Sequence, residues 1–316
     1  MTNFDTTVSP DDDARPAGHP DRGGPVSGRL EPATQALLDA PLDVRIQHVL
    51  QDRLVRYPAF DAVKSQAEWL IYEPRQTRAR GIVVSSERGN GKTTLAHIIN
   101  RQYNDRCNLD RPFVVEISMS GARDARTVYG RILESLGSPA RISHRVSDRE
   151  TLVSRLLRSV GCRLLVLDEV QDIMLGNERE QQRALEGIKF LMNELQMHVL
   201  GFGTDKAFQG LASDPHLEAR FTEFVLPRWK ADSTLANFLA TYERCLPFPE
   251  PSHLGREEVV KYMAKVGAGT LGKIVTRLQN AALGALCEEG GSVSMSRLEA
   301  ADMRPTRCAI RPQGRL

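Results

Sequence analysis

The stretch GIVVSSERGNGKTTLAHIIN, residues 81–100, constrains this chain more than any other. An apolar run of strand type leads into a glycine-bearing loop, and the loop opens a segment whose apolar residues recur at helical spacing. A strand feeding such a loop at the mouth of a helix aims backbone N–H groups and the positive helix end at one point, which suits phosphate oxygens. The usual form of this loop is G-x-x-x-x-G-K-[ST]. Counting back from Lys92 puts Ser86 where the first glycine normally stands, at a corner where glycine removes any steric limit on the turn. Gly89, Gly91, Lys92 and Thr93 matter more to phosphate contact, and all are present. Lys92 is expected at the outer phosphates of a nucleotide such as ATP and Thr93 on a magnesium ion, within a contacting set Arg88, Gly89, Asn90, Gly91, Lys92, Thr93 and Thr94. Ser86 bears on affinity.

Around this loop the chain alternates strand-like and helix-like segments. ATQALLDAPLDVRIQHVLQDRLV and FDAVKSQAEWLIYE read as helices, ahead of a strand in RARGIVVSS. TTLAHIINRQYN is helical and PFVVEISM a second strand. ARTVYGRILESLG places Val128, Ile132 and Leu136 on one face and can end at Gly137. SDRETLVSRLLRSVG starts with a cap candidate, and CRLLVLDEV is a continuously apolar strand. EQQRALEGIKFLMNELQ aligns Leu185, Ile188, Met192 and Leu195, HVLGFGT is a fourth strand, and EFVLPRW a fifth. Helices of this length between strands imply right-handed crossovers and a parallel sheet covered on both faces. From about residue 232 onward only helices are expected.

Chemistry-bearing residues recur at strand ends. LLVLDEV begins 72 residues after Lys92 (164 − 92) and delivers Asp168 and Glu169 at the carboxyl edge of the sheet, where ligands bind in such folds. Asp168 can hold magnesium through water, and Glu169 can orient or deprotonate an attacking water. Thr204, at the tip of VLGFGT, can reach a γ-phosphate or that water, or can instead cap the helix DKAFQGLA. Arg220, just before the fifth strand, lies on the flank of the domain. There it is either a solvated side chain or an arginine finger for a neighbouring subunit's nucleotide.

The ends differ in character. Residues 1–31 hold six acidic and three basic side chains, whereas the terminal MRPTRCAIRPQGRL holds four arginines and no acid. Both read as solvated tails. The arginines serve either solubility or phosphate contact. A net charge of +2 does not by itself announce a nucleic-acid binder. With no run of about 18 apolar residues and no signal-like start, the expectation is a soluble, cytoplasmic protein with no membrane partner. Cys107, Cys162, Cys245, Cys287 and Cys308 are odd in number and lack C-x-x-C spacing, so neither a disulfide framework nor a zinc site is indicated.

SERGNGKTT, LLVLDEVQ, GFGT and DPHLEARFTEFVLPRW, in this order and spacing, resemble the AAA+ ATPases of transposition, and among them the TniB family, relatives of TnsC. RIQHVLQDRLVRYPAFDAV is similar to the segment preceding the nucleotide loop in that family. The likeness covers about residues 43–290, and its more specific parts are RYP and ARF…LPRW. The resemblance implies an α/β P-loop AAA+ core with a five-stranded parallel sheet and a small C-terminal helical lid. It also implies an ATP- and magnesium-dependent ATPase that assembles as a homo-oligomer on double-stranded DNA in bacteria. Such proteins recruit or activate a separate transposase and do not cut or join DNA themselves. By position, Gly89, Gly91, Lys92 and Thr93 would form the loop, Asp168 and Glu169 the magnesium and water site, Thr204 the sensor and Arg220 the finger. Gly272 stands where many AAA+ proteins carry a sensing arginine, with Lys273 beside it as a candidate substitute.

The implied organisation is a tail over 1–32, a helical segment over 33–80, the nucleotide-binding core over 81–230, the lid over 231–290 and a basic tail over 291–316. Arg123 and Arg126 follow the second strand, and Arg179 and Arg183 the third. Each is either a solvated helix face or a phosphate contact that gives affinity with little base specificity. The competing readings are an AAA+ helicase or replication loader, and a scaffold that does not hydrolyse nucleotide.

Overall fold

The computed structural model describes residues 29–51, 53–75, 78–104, 113–138 and 145–305. Helices α1 (Pro32–Gln35), α2 (Leu42–Leu50) and α3 (Pro58–Tyr72) precede the first strand. Five strands, β1 (Gly81–Ser85), β2 (Val114–Ser118), β3 (Leu164–Asp168), β4 (His198–Gly203) and β5 (Phe221–Val225), form one sheet in the order β2-β3-β4-β1-β5. Every adjacent pair is parallel. Helix α4 (Lys92–Asn104) follows β1, α5 (Ala125–Ser135) and α6 (Val146–Val160) follow β2, and α7 (Glu178–Glu194) follows β3. Helices α8 (Lys206–Ala212) and α9 (Pro215–Glu218) lie between β4 and β5.

Strand side chains alternate between two cores, as the strand period of two requires. Leu165 and Leu167 of β3 face a cluster with Val128, Ile132, Val153 and Ile188 from α5–α7. Leu164 and Val166 face a second cluster with Val63, Ile71, Leu95 and Ile99 from α3 and α4. Because both faces are covered, β3 is buried at every position, which is why it reads as an unbroken apolar run.

Helices α10 (Ser233–Glu243), α11 (Glu257–Gly267), α12 (Leu271–Cys287) and α13 (Met295–Ala300) form the helical region after the sheet. Their core also takes in Ile46 and Val49 of α2. The segment before β1 therefore divides, with α2 on the lid and α3 on the sheet.

Some boundaries differ from expectation. The stretch from residue 291, expected as a tail, continues the lid to α13, because Val293 and Leu298 are fully buried there, worth about 1.5–3 kcal/mol each. Before residue 32, Leu30 is buried and the Glu31 N–H donates to the Arg244 carbonyl at 3.0 Å. Helix α6 starts at Val146, where the Asp148 carboxylate accepts from the Arg145 N–H at 3.1 Å and takes the capping role expected of the SDRE stretch. β5 begins at Phe221, ahead of the EFV run. Cys162 and Cys245 are buried free thiols, and Cys287 is disulfide-bonded, which cysteine spacing did not indicate. Residues 1–28 and 306–316, with most of the first expected tail and the end of the second, and Cys107 and Cys308 lie outside the described residues. Among the described residues, no helix is long and apolar enough to cross a membrane.

Candidate functional site

The sheet order brings the carboxyl ends of β3, β4 and β1 side by side, although β4 is the latest of the three in sequence. The Ser86 N–H donates to the Gly203 carbonyl at 3.1 Å, prolonging the β1–β4 ladder by one residue. Ser86 is not among the residues with positive φ, so its backbone makes no demand for glycine. Gly89 (φ +80°) and Gly91 (φ +77°) do make that demand. The chain then enters α4 at Lys92.

Lys92 is buried, and its Nζ donates to the Ser86 carbonyl at 2.9 Å, the Ser86 hydroxyl at 3.1 Å and the Glu87 carbonyl at 2.8 Å. Burial pushes the ammonium below the ordinary lysine value, and the nearby Glu169 and Asp168 charges oppose that shift. Arg88, Gly89, Thr93 and Thr94 are exposed, with Gly91 partly so. Asn90 is buried, and its Oδ1 accepts from the Leu271 N–H at 3.0 Å, while the Gly272 N–H donates to the Gly89 carbonyl at 2.7 Å. The first turn of α12 is thus fastened to the loop. A Cβ at residue 272 would lie 2.9 Å from the Gly89 carbonyl oxygen, so the close approach itself excludes an arginine there. Lys273 lines a separate groove with Arg88 and Arg277 and does not line the cavity described below.

Asp168 ends β3 and is 5% exposed. Its Oδ2 accepts from the Thr93 hydroxyl at 2.7 Å, whereas its Oδ1 is buried with no hydrogen-bond partner. A buried carboxylate oxygen left open beside a threonine hydroxyl is the oxygen donor set that magnesium takes, usually with phosphate oxygens completing it. The residues fit that ion and its nucleotide. Glu169 follows with φ 55° and ψ 43°, a left-handed conformation costing a side-chain-bearing residue about 1–2 kcal/mol. It faces the same cavity as Lys92 and Thr93.

That cavity, about 550 Å³, has two unlike halves. Gly89, Gly91, Lys92, Thr93 and Glu169 form a polar end; Val55, Tyr57, Phe60, Phe238, Tyr242 and Val275 form an apolar one. An anionic ligand with a flat ring at its other end matches this division. The apolar half also explains the two more specific motifs. Tyr57 of RYP packs on Trp229 of LPRW with ring centroids 4.9 Å apart, and Trp229 packs on Phe238 at 5.0 Å. Apart from Tyr57 within RYP, the apolar residues carry no signal in the sequence, because each looks like ordinary core until the lid folds over the loop.

Thr204 joins the site through its backbone: its N–H donates to Gln171 Oε1 at 3.0 Å, and its carbonyl accepts from the Ala207 N–H at 2.9 Å. Thr204 does not line the cavity. Arg220 is placed differently again. Its carbonyl accepts from the Gly81 N–H, so it sits where β1 begins, at the opposite edge of the sheet from the loop. One strand length of about 16 Å separates it from its own loop. Its Nη1 is buried without a hydrogen-bond partner.

Arg123, Arg126, Arg179 and Arg183 are all exposed. The loops after β2 and β3 are joined where the Gly121 N–H donates to Asp172 Oδ2 at 3.2 Å. Arg126 and Arg183 share one groove, which also contains Asp124, Glu150 and Glu186, so their charge is partly offset.

The sheet order, the loop entering α4, the acidic end of β3 and the helical lid define a P-loop ATPase fold of the AAA+ class. Within that class, residues 45–231 match the family model described as "Bacterial TniB protein", and the chain belongs to the TniB family. Among solved structures it is similar to the Aeropyrum pernix ORC2 protein in ADPNP–ADP complexes, at 18% identity and TM-score 0.60, over 81% of this chain and 71% of that one. The Aeropyrum pernix ORC1 protein in complex with DNA matches at 18% identity and TM-score 0.59, over 81% and 68%. The Pyrobaculum aerophilum Cdc6p matches at 18% identity and TM-score 0.55, over 78% and 67%. At such identities the likeness concerns the fold. No curated protein matches the chain.

Proposed function

We propose that this protein is an ATP-dependent regulator of transposition that assembles on double-stranded DNA in the bacterial cytoplasm and recruits or activates a separate transposase. The observation that carries the nucleotide half of this reading is the convergence of Lys92, Thr93, Asp168 and Glu169 on one edge of the sheet, with an open carboxylate oxygen on Asp168. Membership of the TniB family supports the transposition half. The DNA-bound state of the ORC1 relative supports the choice of duplex DNA as partner.

In this reading the loop N–H groups and the Lys92 ammonium hold the phosphates, exchanging the ammonium's present loop contacts for phosphate oxygens. Thr93 and Asp168 hold magnesium, which when bound offsets phosphate charge. Glu169 orients a water against the terminal phosphorus and accepts its proton. Arg220 of one copy stabilises charge in the site of the next. Exposed Arg123, Arg126, Arg179 and Arg183 meet DNA phosphates with little regard to base sequence.

Duplex-binding titrations with and without ATP and magnesium test the reading. Unrelated duplexes bind with similar affinity, ATP strengthens binding, and affinity falls with salt at a log–log slope of about −0.9 per phosphate contacted. Tight binding to one sequence alone, indifferent to salt and to ATP, contradicts it.

A further inference from the structure

Gln171 follows Glu169 by two residues, in the 3₁₀ turn spanning Val170–Leu175. Its side chain is buried and held on three sides. Nε2 donates to Glu169 Oε2 and lies 3.4 Å from Asp172 Oδ1, while Oε1 accepts from the Thr204 N–H at 3.0 Å. Asp172 in turn accepts from Gly121 in the loop after β2. The space for this carboxamide exists because β4 ends in glycine: a Cβ at Gly203 would lie 2.5 Å from Gln171 Oε1 and 2.5 Å from the Ala207 Cβ. A neutral side chain that spends a donor on the acid of the site and an acceptor on the neighbouring strand fixes one relative to the other. Glu169 needs such a tether, since its left-handed backbone leaves the carboxylate on a turn and not within the ladder.

Resting on the ATPase reading above, we infer that Gln171 is a positioning residue for hydrolysis: its carboxamide ties the Glu169 carboxylate to the end of β4 and sets where that carboxylate meets water. Thr204 takes part through its backbone N–H as the anchor of this tie. A carboxylate misplaced by about an ångström can lose on the order of 10²-fold in rate. Losing a polar partner that orients a catalytic ligand costs a similar 10–100-fold.

The test uses the full chain with ATP, magnesium and duplex DNA. Gln171→Ala is expected to lower kcat by about 10–100-fold, with the KM for ATP within about twofold of wild type. Wild-type kcat, or a loss confined to KM, overturns the inference. Gln171→Glu keeps the shape and removes the donor while ionised, placing like charges beside Glu169 and Asp172. Its activity is expected to be depressed at neutral pH and to recover partly on acidification, when a shared proton restores a donor. A pH profile superposable on wild type overturns the inference, and this arm decides if the alanine variant does not fold. A readout independent of turnover is the side-chain amide proton of Gln171 by NMR, identified by its loss in Gln171→Glu. It is expected downfield of ordinary glutamine amides and to return to their range in Glu169→Ala. An ordinary position in the wild type overturns the tie. A wild-type protein that hydrolyses no ATP instead refutes the proposed function, and the amide proton alone then decides whether Gln171 holds Glu169.

Discussion

The two edges of the one sheet are built for different tasks. At the carboxyl edge, positive-φ glycines, a buried lysine and Glu169 line a cavity shared with the lid, and Asp168 is bonded to Thr93 beside it. At the amino edge, Arg220 shares a groove with Trp69, Glu73 and Arg80, and Trp69 is 72% exposed. Strand length keeps the edges about 16 Å apart, beyond the reach of any side chain. A fold with its phosphate loop on one edge and a candidate finger on the other cannot complete its own site. If Arg220 acts on nucleotide at all, it acts on that of another copy.

The largest effect tests that separation. Arg220→Ala should still bind ATP but hydrolyse it about 10³- to 10⁵-fold more slowly. Glu169→Gln should also bind and fail to hydrolyse, for want of its carboxylate. Mixed on DNA, the first supplies an intact Glu169 and the second an intact arginine, so composite interfaces recover activity in an ATPase assay. A mixture that co-assembles and stays as inactive as its parts rejects action across subunits.

Next comes Lys92→Ala, confined to the carboxyl edge. Each hydrogen bond to a charged partner contributes about 1.5–3 kcal/mol, so a labelled ATP analogue should bind roughly 10- to 100-fold more weakly. DNA-dependent assembly should weaken with it. Equal binding by wild type and variant removes the nucleotide assignment. Ser86→Gly, in contrast, should change affinity little, because the Ser86 backbone already fits the turn and leaves Lys92 its carbonyl partner.

Gly272→Ala acts between loop and lid. Its methyl group would press on the Gly89 carbonyl, whose contact with the Gly272 N–H fastens α12 to the loop. Overpacking of this kind costs about 1–3 kcal/mol, read as a lower denaturation midpoint and weaker nucleotide affinity together. A midpoint unchanged within error shows that the lid yields without cost.

The difference between the edges also explains what the sequence reveals. The strands, their crossovers and the convergence of Lys92, Thr93, Asp168 and Glu169 were legible, because a phosphate loop and an acidic strand end leave local patterns that sheet topology then joins. The apolar half of the cavity was not, since Val55, Phe238 and Val275 come from three distant segments and carry no local signature. Gln171 was hidden for another reason. Its role depends on the glycine at 203, which lies 32 residues away and carries no visible partner in sequence (203 − 171). Thr204 reads as a polar tip, but it ties to Gln171 through its backbone N–H, which any residue except proline supplies. The segment from 291 reads as a tail because Val293, Met295, Leu298 and Ala301, which pack on the lid core, are too few apolar residues to outweigh its composition.

The smallest effect belongs to the amino edge. His198 begins β4 and is buried, and its Nδ1 accepts from the Arg80 N–H at 3.1 Å, so the proton of the neutral ring sits on Nε2. Burial lowers its pKa first; Glu73, 4.0 Å from Nε2, opposes that, while Arg163 and Arg80 add to it. Folding therefore favours the neutral ring. As pH falls below about 6.5, the unfolded chain gains a proton that the native chain refuses, so stability declines until the lowered native value is reached. A single group changes stability by at most about 1.4 kcal/mol per pH unit in this window. His48, also lowered chiefly by burial, adds to the same slope. In His198→Gln an amide oxygen can still accept from Arg80 and nothing titrates, so chemical denaturation between pH 7.5 and 5 should show a shallower decline than wild type. Identical slopes would remove the assignment of a lowered native value, and a steeper decline in His198→Gln would mean that Glu73 draws the proton in after all. The ring would then be charged in the native state, and the amino edge would hold an ion pair beside Arg220 in place of a neutral hydrogen bond.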